Sequence, residues 1–103
     1  MFFECFFRDI NNFNTKWRIF VKIETIIAQV MAEIDRAEKL HPVWPTDLVK
    51  AAAVPVEEAG ELLKAVNDHD EKHTSRRQIV TEAVHTAASA IRFLKNLEEK
   101  DNE

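Results

Sequence analysis

Between residues 21 and 40, apolar side chains recur at three- and four-residue steps, at Ile23, Ile26, Ile27, Val30, Met31, Ile34 and Ala37, with Glu24, Glu33, Asp35 and Lys39 between them. A single apolar stripe at that spacing predicts an amphipathic helix. The segment His41-Pro42-Val43-Trp44-Pro45 ends it, because each proline lacks an amide donor and biases its predecessor toward extended backbone. Thr46 or Asp47 then offers an N-cap for a second helix over about 47–67, carried by Leu48, Ala51, Ala52, Val54, Leu62, Leu63 and Val66. Pro55 falls inside that helix, where it removes a backbone hydrogen bond and predicts a kink or local break just ahead of Glu57 and Glu58. Residues 68–74 contain no apolar side chain and predict a solvated turn. Ser75 followed by Gln78 has capping-box spacing and opens a third helix through Ile79, Val80, Ala83, Val84, Ala87, Ala88, Ile91, Leu94 and Leu97.

The expected fold is therefore all-α: an antiparallel helical hairpin preceded by an N-terminal helix over 21–98, flanked by an appendage at 1–20 and a charged tail at 99–103. Composition agrees, since one Gly, three Pro and no Tyr suit helices with short connections better than a turn-rich β fold. The appendage holds six of the seven Phe, with Trp17 and Asn11, Asn12 and Asn14, and reads as an arm that packs over the core or forms a contact surface. A chain of 103 residues has room for one domain but buries a modest share of its surface, so completion of the bundle by oligomerisation is expected.

Charge narrows the function. A formal net charge of -4 argues against holding a nucleic acid polymer by neutralising its phosphates, so a nucleotide partner should be small and metal-bridged. Cys5 is the lone cysteine, which excludes an internal disulfide and a cysteine-rich zinc site and fits a reducing cytoplasm. The apolar opening is brief, lacks the basic start of a signal peptide, and nothing later approaches a membrane-spanning length.

The second helix carries Glu57, Glu58 and Glu61 as E-E-x-x-E, and the third carries Glu82 and His85 as E-x-x-H. Residues three apart share a helix face. In an antiparallel hairpin, facing residues lie at equal distances from the turn, and the pairs Glu58 with His85 and Glu61 with Glu82 share one centre, between Glu71 and Lys72. That centre lies within the polar turn. Four potential ligands thus gather in one cluster, while Ala59, Gly60, Ala83 and Ala87 allow the backbones to approach. Facing carboxylates repel and raise one another's pKa unless a cation lies between them. Oxygen donors favour magnesium, calcium or manganese, and the imidazole tilts the preference toward manganese or a later metal.

Residues 41–97, and above all Val56-Glu57-Glu58-Ala59-Gly60-Glu61-Leu62 followed by Thr81-Glu82-Ala83-Val84-His85, resemble the MazG-like all-α nucleoside triphosphate pyrophosphohydrolases. That pattern is E-E-x-x-E on one helix and E-x-x-D on the next, and His85 stands where the family has Asp. The resemblance implies Mg2+, with Mn2+ as an alternative, held by Glu58, Glu61 and Glu82 with His85 at the fourth position. Glu57 would position or deprotonate water. It further implies a homodimer or homotetramer that hydrolyses (deoxy)nucleoside triphosphates to monophosphate and pyrophosphate, as house-cleaning of the nucleotide pool. Extending the register along the hairpin brings Arg92 near Lys50, with Asn96 one turn on, so Lys50, Arg92, Asn96 and Trp44 would form the substrate side, cations for phosphate and an aromatic face for a base.

Two other readings fit the same residues. Glu-x-x-His is also a ligand unit of ferritin-like di-iron bundles. A catalytically degenerate helical binding module, using its aromatic arm as a contact surface, is the other.

Overall fold

The computed structural model describes the backbone of residues 13–101 and the side chains of residues 22–98. It contains three helices, α1 (Phe13–Leu40), α2 (Leu48–Lys72) and α3 (Arg76–Asp101), and no strand among the described residues. The chain is all-α, as its periodicity indicates. Helix α1 is described from Phe13, inside the stretch assigned to the appendage, and neither Gly nor Pro interrupts residues 13–41. Residues 1–12 of that appendage and the end of the charged tail lie outside the described residues.

Each boundary has a local cause. The final bond of α1 runs from His41 N–H to the Ala37 carbonyl at 2.8 Å, and Pro42 prevents another turn. Asp47, in extended backbone, caps α2 by accepting the Val49 N–H on its carboxylate at 2.9 Å. The helix continues through Pro55 to Lys72 without a break. It also outruns the expected end at residue 67, since Asp68 pairs with Lys64 at 3.1 Å and Lys72 at 3.7 Å, adding i,i+4 support to the last turns. His73 terminates it in the left-handed region, φ 57° and ψ 37°, donating its N–H to the His69 carbonyl at 3.1 Å. The turn is therefore residues 73–75. Ser75 Oγ accepts the Arg77 N–H at 3.1 Å and so caps α3, but Gln78 does not complete the box: its amide donates to Glu82 at 3.0 Å instead.

Helix α3 lies at the centre, with α1 and α2 both packed against it. Val30, Ala51, Ala65 and Ala88 are buried at these contacts, and small residues on facing helices permit the approach. No large side chain among the described residues is completely enclosed. The apolar stripe of α1 is only partly covered, with Ile27 at 52% and Met31 at 64% exposure, because α3 spans one side of it. No helix among the described residues is long and apolar enough to cross a membrane.

Candidate metal centre

His85, on α3, stands at the meeting point of the three helices. Its Nδ1 lies 3.5 Å from a Glu82 oxygen and 3.8 Å from a Glu58 oxygen, the first one turn earlier on α3 and the second across on α2. Its Nε2 lies 3.4 Å from Glu33 on α1. One donor atom from each of Glu58, Glu82 and His85 lies within 4.8 Å of the others. Ligand atoms about 2.0–2.6 Å from a shared divalent cation span distances of that order; carboxylate oxygens suit Mg2+, Ca2+ or Mn2+, and the imidazole nitrogen tilts the set toward Mn2+ or a later metal. The residues present thus fit such an ion. All three side chains are partly buried, so an ion between them would keep access to solvent.

The fourth expected ligand is placed differently. Glu61 is exposed and lies outside the three-residue grouping. Three residues along a helix rotate a side chain by about 300°, so Glu61 points about 60° away from Glu58. Glu57 is also exposed.

The site includes two residues that the sequence reading did not single out. Arg36 grips Glu33 with both arms of its guanidinium, at 2.8 Å and 2.5 Å. That hydrogen bond holds the Glu33 carboxyl below its ordinary range; partial burial opposes the shift, and the charges of His85 and Arg36 reinforce it. A signal was present in the chain: Glu33 falls within the apolar stripe, three residues after Val30 and four before Ala37.

A cleft of about 290 Å³ opens beside the cluster, with Glu58, His85, Arg36, Trp44 and Arg92 in its walls. Arg92 is buried at 8% exposure, sits 4.9 Å from the Trp44 ring centroid, and donates to the His41 carbonyl at 2.8 Å. Its Nε is enclosed without a hydrogen-bond partner. Of the expected substrate residues, Trp44 and Arg92 therefore come together at the cleft. Lys50 is exposed and does not line it, and the Asn96 amide is engaged by its own helix, donating to the Arg92 carbonyl at 2.8 Å. Comparison with protein-family models, curated proteins and solved structures returns no match.

Proposed function

We propose that this chain is a MazG-like nucleoside triphosphate pyrophosphohydrolase that uses Mg2+, or Mn2+, in the cytoplasm to clear nucleotides from the pool. The observation that carries this reading is the convergence of Glu58, Glu82 and His85 within 4.8 Å, next to a cleft walled by Trp44 and Arg92. α2 and α3 act as the antiparallel hairpin that holds this metal site. A bound divalent cation supplies charge neutralisation for the phosphate oxygens and for the negative charge that builds on the leaving pyrophosphate.

The residues of the chain do the rest. Glu58, Glu82 and His85 bind the ion, and Glu61, one turn along α2, is the remaining carboxylate of the motif. Glu57 accepts a proton from the attacking water. The water oxygen bonds to the α-phosphorus, the bond from that phosphorus to the α,β-bridging oxygen breaks, and pyrophosphate leaves with the electron pair. Trp44 offers an aromatic face to the base, while Arg92 attracts the phosphates. The half-exposed apolar row Ile23, Ile26, Ile27 and Met31 on α1 supports assembly into a homodimer or homotetramer, which would remove that surface from water.

The test is pyrophosphate release from a panel of standard and modified deoxynucleoside triphosphates with Mg2+ or Mn2+, comparing the native chain with Glu58→Gln. Turnover by the native chain that is lost in the variant supports the reading; a folded native chain that turns over none of them refutes it. One observation favours a second reading, the ferritin-like di-iron site: Glu33 adds a carboxylate from a third helix beside the Glu82-x-x-His85 unit. Stoichiometric iron binding with a visible absorption band, and no pyrophosphate release, would decide for it.

A further inference from the structure

The two nitrogens of the His85 ring face different partners. Nδ1 is turned to Glu82 and Glu58, at 3.5 Å and 3.8 Å, whereas Nε2 is turned to Glu33 at 3.4 Å. A histidine that binds a metal through one nitrogen commonly donates the proton on its other nitrogen to a carboxylate, which fixes the ring's tautomer and direction and raises its basicity as a ligand. Glu33 is suited to that task. It comes from a helix that contributes no residue to the three-residue grouping, its side chain is mostly buried, and the two-armed grip of Arg36 fixes its orientation.

Resting on the metal-site reading above, we infer that Glu33 is the positioning residue that makes His85 a ligand, accepting the Nε2 proton so that the Nδ1 lone pair is directed at the ion between Glu58 and Glu82. Arg36 holds Glu33 in place and partly offsets its charge. In this arrangement α1 becomes part of the metal site, because the ligand on α3 is oriented from α1. The histidine at the fourth position of the motif thus works together with an acid outside the motif.

The test is Mn2+ binding by titration calorimetry on the full chain, with folding of every variant checked by circular dichroism. Glu33→Ala should weaken Mn2+ binding about 10–100-fold, the usual cost of removing such a partner. Glu33→Gln should lose less, since its amide oxygen still accepts the Nε2 proton. The decisive comparison is in a His85→Asp background, where the ligand has no second nitrogen to orient: there Glu33→Ala should cause no measurable further loss. If Glu33→Ala does not fold, Glu33→Gln is read in both backgrounds, with a loss expected only where His85 is present.

Binding by Glu33→Ala as tight as by the native chain overturns the inference. So does an equal loss in the His85→Asp background, since Glu33 would then contribute only its charge. A native chain that binds Mn2+ and loses it in Glu58→Gln, yet is indifferent to Glu33, leaves the metal reading standing and removes this inference alone. A native chain that binds no Mn2+ removes both.

Discussion

Replacing Arg92 by Met tests how the 41–47 connection is held to α3. Methionine keeps most of the apolar stem, so the change isolates the guanidinium. Two interactions are lost. One is the stacking over Trp44 at 4.9 Å, worth about 0.5–2 kcal/mol depending on desolvation. The other is the 2.8 Å hydrogen bond to the His41 carbonyl, worth about 1.5–3 kcal/mol for a charged donor. Against these stands a relief: the enclosed Nε makes no hydrogen bond, and removing it recovers a desolvation penalty of about 1–3 kcal/mol. The net destabilisation should be about 1–2 kcal/mol, which at about 4–8 °C per kcal/mol for a domain of this size lowers Tm by about 4–16 °C. Thermal melting followed by circular dichroism at fixed chain concentration reads it directly. A companion Trp44→Leu chain and the double variant complete a cycle, in which stacking appears as a positive coupling between the two positions. A Tm for Arg92→Met within a degree of native, with no coupling to Trp44, would refute the view that Arg92 anchors this connection.

Other expectations follow from single residues. Asp47→Ala removes the α2 cap and should cost about 1 kcal/mol, seen as an earlier melting transition, whereas Asp47→Ser should recover most of it. The Asp68 carboxyl is held below its ordinary value of 3.8, first by the hydrogen bond from Lys64, with the Lys64 and Lys72 charges assisting against desolvation. Its stabilising contribution is therefore complete above pH 3.8 and lost as pH falls through the lower folded value, so Asp68→Asn should melt slightly earlier than the native chain at neutral pH, and the two Tm curves should converge as pH falls through that acid range. If the exposed apolar row of α1 is the assembly surface proposed above, Ile27→Glu places a charge in it and should give a monomer where the native chain gives an oligomer in light scattering behind size-exclusion chromatography; a monomeric native chain, or an unchanged oligomer, would exclude that row as an interface.

Much of the helical layout is legible in the chain because its causes are local. Pro42 ends α1, Asp47 caps α2 and Ser75 caps α3, each through atoms within a few residues of one another. Glu58 and His85 do come together, at 3.8 Å, although the centre read between Glu71 and Lys72 lies inside the last turn of α2 and the connection is residues 73–75. Other features depend on relations that a one-dimensional pattern does not contain. Glu61 stands at the same three-residue spacing from Glu58 as His85 does from Glu82, yet only the second pair shares the cluster, so spacing by itself does not say which carboxylate turns inward. Glu33 reaches His85 because α1 docks on α3, and comparing positions along α2 and α3 is blind to a third helix. Gln78 has capping-box spacing from Ser75, but Glu82, one turn ahead on the same helix, takes its amide instead. A straight register puts Lys50 and Asn96 near Arg92, whereas the cleft forms where residues 41–45 bring Trp44 to Arg92.

The most direct test of the central claim is anomalous diffraction at the manganese edge, from crystals of the chain grown with Mn2+ and a deoxynucleoside triphosphate whose α,β-bridging oxygen is replaced by a non-hydrolysable imido group. A strong peak is expected between Glu58, Glu82 and Nδ1 of His85, with the triphosphate extending from it toward Arg92. Crystals whose ordered Mn2+ lies elsewhere, or that leave the space between these three residues without a peak, would contradict it.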